Sequence, residues 1–298
     1  MSIVSILLPD FLLILLGFVI IRITNWGNEF WVGMEKLVYY VLFPSLLFYS
    51  TSHTSLDFAL TGKLLQVAIA ACFTGILLGW LAKPLFRPGP MIFESGVQTA
   101  FRFNSYLALA AANRLAGDQG TSMMALIIGF CVPLCNMAAV HALVHRSGGL
   151  LKELAKNPLL LATAGGIIFN LIGLRVPEIA GAFLSRLGNA SIALGLIMVG
   201  AGLRLSGLQN AKGIASYLIA VKLLAVPACA YFLGRFLELP PLQLQIAVIF
   251  GALPTASSAY VLTTRMGGNG PLVAFLISAG TLISLVTLPF WLIQASAA

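Results

Sequence analysis

The chain has 298 residues, of which 59% are hydrophobic and only 9% charged, and its mean hydropathy is +0.99. A soluble domain carries roughly one-quarter charged residues, so this balance excludes one and marks an integral membrane protein. Seventeen basic against nine acidic residues give a net charge of +8, a surplus that reads as loop topology rather than as a nucleic-acid surface.

A helix needs about 20 apolar residues to cross the hydrocarbon core. Ten stretches are predicted to do so: Ile3 to Arg22, Phe30 to Ser50, Leu60 to Ala82, Met91 to Leu115, Met123 to His145, Pro158 to Leu174, Pro177 to Leu203, Gly213 to Phe236, Leu242 to Met266 and Pro271 to Gln294. The first has no basic n-region and no small-residue cleavage site, so it is expected to stay as helix 1. Span 2 holds Pro44, and span 7 a run of glycines (LGLIMVGAGL) suited to close helix packing. The longest connection, Arg146 to Asn157 (RSGGLLKELAKN), is basic and central, and it divides the chain into halves of five spans, 1–145 and 158–298, joined by linker 146–157.

On this scheme ten basic residues fall on one side of the membrane, five on the other, and Arg102 and Lys222 lie within spans. The positive-inside rule makes the first side cytoplasmic and puts both termini on the non-cytoplasmic side of the cytoplasmic membrane. Five spans per half also force the second half to enter with opposite orientation, so any internal repeat is inverted. At an offset of 151, NRLAGDQG (Asn113 to Gly120) aligns with TRMGGNGP (Thr264 to Pro271), matching Arg114 to Arg265 and Gly117 to Gly268 and setting Asn104 opposite Thr255.

Spans 4 and 9 are interrupted, by FRFNSY (Phe101 to Tyr106) and LPTASSAY (Leu253 to Tyr260). In lipid every backbone N–H and C=O must be satisfied internally, so such breaks are tolerated only inside protein or beside a water-lined cavity. Their occurrence in corresponding positions of two halves points to a transporter binding site. Arg102 lies midway along its span, where a charge costs about 2.5 to 3.5 kcal/mol on insertion scales and calls for a partner. Its guanidinium can hold a carboxylate through two parallel hydrogen bonds. The alternative is an internal partner, Glu94 or free carbonyls. Asn104 and Ser105 can cap the following half-helix, whose N-terminal N–H groups also favour an anion. In the other half Pro254 removes a backbone donor, and Thr255, Ser257 and Ser258 supply hydroxyls.

Lys222 is the second intramembrane cation, near the middle of span 8. It either rests against the carbonyl end of a half-helix, where a sodium-coupled relative would hold its ion, or snorkels to an interface. Cys131 with Cys135 and His141 with His145 share helix faces at i, i+4, but about 21 Å of helix separates Cys131 from His145, so no metal site is expected. Cys72 and Cys229 read as packing residues. There is no Walker motif, and the serines at membrane depth have no His or Asp beside them, so neither a cofactor nor an enzyme is expected.

FRFNSYLALA with the RLAG turn, KNPLL opening span 6 and GALPTASSAYVLTTRMGGN near the end resemble the auxin efflux carrier family of membrane transporters, in its bacterial form with a short central loop. The resemblance runs over nearly the whole chain. It implies an all-α polytopic protein of ten transmembrane helices in two inverted five-helix repeats. Helices 4 and 9 would be broken and cross at the midplane, with helices 1, 2, 6 and 7 as scaffold and helices 3–5 and 8–10 as a transport domain. It implies elevator-type transport of small organic anions and a homodimer through the scaffold helices, with the organic acid and the lipid bilayer as the expected partners and no nucleic acid. A carboxylate is then expected at the crossing, held by Arg102, Asn104 and Ser105 and framed by Thr255, Ala256 and Ser257, with Pro254 as the structural break. The alternative is a sodium- or proton-coupled transporter of another substrate class in a fold like that of bile-acid symporters and cation antiporters. Paired carboxylates at the midplane, which a cation substrate asks for, are not found in the sequence.

Overall fold

A computed structural model of the protein describes residues 3–53, 58–143, 158–203 and 211–297. The predicted linker 146–157 lies outside them. The described residues form helices and contain no strand. In chain order they are α1 (Ile3–Ile23), α2 (Asn28–Leu37), α3 (Phe43–His53), α4 (Phe58–Phe86), α5 (Pro90–Gly96), α6 (Ser105–Leu143), α7 (Pro158–Leu171), α8 (Glu178–Ala201), α9 (Lys212–Ala220), α10 (Val226–Phe236), α11 (Pro241–Ala252), α12 (Ser258–Arg265) and α13 (Gly270–Ser296).

Among the described residues, six helical stretches are long and apolar enough to cross a membrane: Glu29–His53, Thr61–Phe86, Pro90–Leu143, Glu178–Ala201, Lys212–Phe236 and Gly270–Ser296. Shorter apolar helices cover Phe11–Ile23, Leu161–Leu171 and Pro241–Ala252. Leu77, Phe232 and Val286 are 67%, 66% and 73% exposed, a surface that lipid accepts and water does not. The protein is therefore a polytopic all-α membrane protein.

The sequence reading ends span 4 at Leu115 and starts span 5 at Met123. Two helices meet there with almost no loop: α6 runs from Ser105 to Leu143 with a sharp kink at Ala116 and Gly117, the residues that leave helical geometry. Gly117 takes φ +54°, a conformation open to glycine without a Cβ penalty. The Thr121 hydroxyl donates to the Gly117 carbonyl at 2.9 Å and accepts from Asn113 Nδ2 at 3.0 Å. The reversal thus needs two residues where a longer loop was expected.

Two wide helical turns, Val38–Leu42 and Val221–Ala225, precede Pro44 and Pro227. A proline cannot bond the carbonyl four residues back and pushes against it, and a widened turn makes the room. For Pro227 that carbonyl belongs to Leu223, and the indole N–H of Trp291 in α13 donates to it at 3.0 Å.

The chain divides into two compact units, and each takes elements from both halves of the sequence. Unit 1 comprises the described residues within Met1–Thr61, Tyr106–Phe130 and Leu150–Ala201. In it α1 packs on α8 and α3 on α7 and α8. Gly17 lies on the backbone of Ile197 and Gly200 on that of Ile14, so closely that a Cβ at either would overlap. Small residues of this kind let membrane helices approach. Asn170 Nδ2 donates to the carbonyls of Thr51 and Ser52 at 3.2 and 3.0 Å, closing the end of α3. Unit 2 comprises those within Gly62–Ser105, Cys131–Gly149 and Gly202–Ala298. There α11 packs on α10 and α13, and the two interrupted segments meet.

Candidate functional site

Both interruptions lie in unit 2. α5 tightens into a single 3-10 turn, Val97–Ala100, and the backbone then leaves helical form over 101–104 before α6 starts at Ser105. On the other side α11 ends at Ala252. Leu253 is extended, with φ −61° and ψ 141°, as a residue before proline is pushed to be. α12 starts at Ser258 after a turn in which Ala256 and Ser257 carbonyls accept the N–H groups of Ala259 and Tyr260 at 3.1 and 3.0 Å.

Hydrogen bonds tie the two breaks together. The Asn104 N–H donates to the Pro254 carbonyl at 2.8 Å, and the Thr255 hydroxyl to the Thr99 carbonyl at 2.7 Å. Gln98 Nε2 donates to the Thr263 hydroxyl at 2.9 Å, and the Asn269 N–H to the Ser95 hydroxyl at 2.8 Å. Backbone groups freed by breaking the helices are thereby satisfied across the junction, as a low-dielectric interior demands. Phe103 meets Phe250 edge to face, with ring centroids 4.7 Å apart, and seals the junction on one side.

Arg102 is 8% exposed. Its Nη1 donates to Gln98 Oε1 at 3.3 Å and its Nη2 to the Ser258 hydroxyl at 3.0 Å, both neutral acceptors. Ser258 is the first residue of α12, so the guanidinium stands at the positive end of that helix, three residues before the positive end of α6. Each such end carries about half a unit charge. The guanidinium and the start of α12 add their positive potentials at one place, and such a place favours an anion.

Of the predicted substrate residues, Arg102, Asn104 and Thr255 are buried, as is Pro254, predicted as the structural break, and Asn104 and Pro254 are joined directly. Ser105, Ala256 and Ser257 are partly exposed at the starts of α6 and α12. Lys222 is 3% exposed, and its Nζ donates to the Gly251 carbonyl in the last turn of α11 at 3.0 Å. A cavity with room for about one water molecule separates it from the breaks, walled in part by Thr99, Pro254 and Thr255. Gly268 lies against Ser95 and Thr263, where a Cβ would come within 2.6 Å of Ser95 Oγ. Sequence reading passed over Gln98 and Thr99. The signal was present in the spacing, because Gln98 precedes Arg102 by one helical turn and is a polar residue in an apolar span.

The chain as a whole is similar to known membrane proteins. Residues 141–292 match the model of a family described as membrane transport protein. An uncharacterized transporter of Methanothermobacter thermautotrophicus is 28% identical over 94% of this chain and 94% of its own. A protein of Rhizobium meliloti named "Putative malonate transporter" is 23% identical over 96% of this chain and 93% of its own. An uncharacterized transporter of Methanocaldococcus jannaschii is 25% identical over 87% of both chains.

Proposed function

The chain belongs to the auxin efflux carrier family of membrane transport proteins and is a transporter, not an enzyme, and from this premise we propose that it carries small organic carboxylates across the cytoplasmic membrane by alternating access. The observation that carries the substrate class is Arg102, buried at the start of α12 and bonded to the neutral side chains of Gln98 and Ser258. A substrate carboxylate displaces the weaker neutral contact at Gln98 and takes a charge-assisted pair with the guanidinium. Asn104 and Ser105 meet it from the start of α6, and Thr255, Ala256 and Ser257 frame it from the other break. The name of the Rhizobium meliloti relative supports the same class.

The architecture proposed is ten membrane helices in two inverted repeats of five, with helices 1, 2, 6 and 7 as scaffold and 3–5 and 8–10 as the moving domain. It draws support from two breaks, residues 101–104 and 253–256, and two following turns with the positive-φ glycines Gly117 and Gly267, each pair within one residue of the 151-residue register. The scaffold is also where a homodimer would form. Lys222, held on the carbonyl end of α11, stands where a coupling sodium ion would need those oxygens, so transport is expected to be independent of sodium.

The test is flux of labelled malonate, malate and lactate into proteoliposomes, with wild type and Arg102→Gln side by side. Saturable uptake of one acid class is expected, falling about thirtyfold or more in kcat/KM in the variant, as truncating one partner of a buried charge pair does. No carboxylate flux in folded wild-type protein would transfer the assignment to another substrate class, and flux that required sodium would remove the role given to Lys222.

A further inference from the structure

The sodium-free arrangement leaves open what drives transport, and Lys222 supplies an answer. Its ammonium is enclosed in unit 2, in the wide turn Val221–Ala225, and it makes one hydrogen bond among the described residues, to the Gly251 carbonyl. An ammonium has three donors. The α11 carbonyl end offsets part of the charge, and the rest meets no acid among the described residues. Besides α9 and α10, which continue the helix on either side and carry Lys212, Tyr217, Cys229, Tyr231 and Arg235, the turn packs on α11, α13 and the 3-10 turn Val97–Ala100, and none of these three carries a titratable side chain. From α4 and α6 the thiols of Cys72, Cys131 and Cys135 lie within electrostatic reach. Cys72 and Cys135 are 3.8 Å apart, and the Cys135 thiol donates to the Phe101 carbonyl. Arg102 lies beyond Cys135. No carboxylate among the described residues locks Lys222 in its charged form.

The second observation is the water-sized cavity, which joins Lys222 to Thr99, Pro254 and Thr255. The Pro254 carbonyl and the Thr255 hydroxyl are the groups that hold the two breaks together. A water held there would link the lysine to the polar groups at the breaks.

We propose that Lys222 is the proton-binding group that couples carboxylate transport to the proton gradient, an inference that rests on the carboxylate reading above. An anion bound at the breaks favours the ammonium over the amine, and the ammonium in turn favours the anion, because coupling between two ligands is reciprocal. Proton and monocarboxylate therefore bind together and cross together. Unit 2 then carries the same net charge when empty, with neutral Lys222, as when loaded with one proton and one anion.

The test uses full-length protein in vesicles with a trapped pH dye and labelled malonate, malate and lactate, with protein-free vesicles to subtract diffusion of the neutral acids. Counterflow at equal pH on both sides reads the carboxylate site alone, and accumulation against an imposed pH gradient reads the coupling. Wild type is expected to accumulate substrate when the outside is acidic and to acidify the lumen in proportion. Lys222→Arg, whose guanidinium does not release its proton, is expected to lose accumulation and lumen acidification while its counterflow falls less than tenfold. Lys222→Gln should lose coupling in the same way. Accumulation by Lys222→Arg that matches wild type overturns the proposal, and so does net wild-type uptake of a carboxylate without proton movement, which needs no variant to fold. Absent counterflow for every acid overturns the carboxylate reading and this inference with it.

Discussion

Gln98 shows how a single neutral side chain sets the state of the site. It is wholly buried, accepts from Arg102 and donates to Thr263, so it holds the guanidinium in place without cancelling its charge. Gln98→Glu installs a carboxylate one turn from Arg102, an internal competitor for the substrate. The expected outcome in counterflow assays is a KM raised about tenfold at neutral pH, recovering toward wild type as the medium is acidified and the new glutamate takes a proton. Recovery on raising the pH would contradict it. Asn104, 1% exposed, sits at the start of α6, and a hydrogen bond to a charged group is worth about 1.5–3 kcal/mol. Asn104→Ala is therefore expected to weaken carboxylate affinity about tenfold or more in binding or counterflow measurements, and unchanged affinity removes Asn104 from the site.

At the scale of elements, the breaks depend on the neighbour that lets them approach. Gly75 in α4 lies under the first break, and a Cβ there would come within 2.8 Å of the Ala100 carbonyl and 3.1 Å of Phe101 Cα. Gly75→Ala must push α4 off the 3-10 turn, whereas Gly62→Ala on the same helix meets nothing within 4 Å. Flux is expected to fall severalfold or more in the first and to stay near wild type in the second, with equal expression as the control. The places of the two breaks were legible in the sequence, because Asn, Pro and Ser interrupt runs that are otherwise apolar. The contacts that unite them were not. Gln98 and Thr99 sit in VQTA, which has no helix breaker and reads as unbroken helix, and the wide turn at Lys222 is visible only through Pro227 and the indole of Trp291 that satisfies the freed carbonyl. The Ala116–Gly117 reversal was legible as a turn, but its two-residue length was not, because it rests on the positive φ of Gly117 and the Thr121 bond that closes it.

For the whole molecule, the sequence divides the chain into halves while its compact units each draw on both halves. That division is invisible in composition, since faces that pack protein and faces that meet lipid are equally apolar. Composition carries an expectation for topology instead: of 17 basic residues, the ten-span scheme assigns ten to the linker side, five to the opposite side and two to the spans, which the positive-inside rule reads as a cytoplasmic linker. If α5, its break and the start of α6 cross once and the rest of α6 crosses back, the Gly117 turn is outside and linker 146–157 inside. Asp118 is exposed next to that turn, so Asp118→Cys is expected to react with a membrane-impermeant maleimide on intact cells, and Lys152→Cys only after the membrane is opened. The native cysteines are buried or half-buried, which keeps the background of the unsubstituted chain low. Labelling of both positions from the same side would mean that Pro90–Leu143 does not cross twice as proposed. It would overturn the count of ten spans and, with it, the inverted relation between the two breaks.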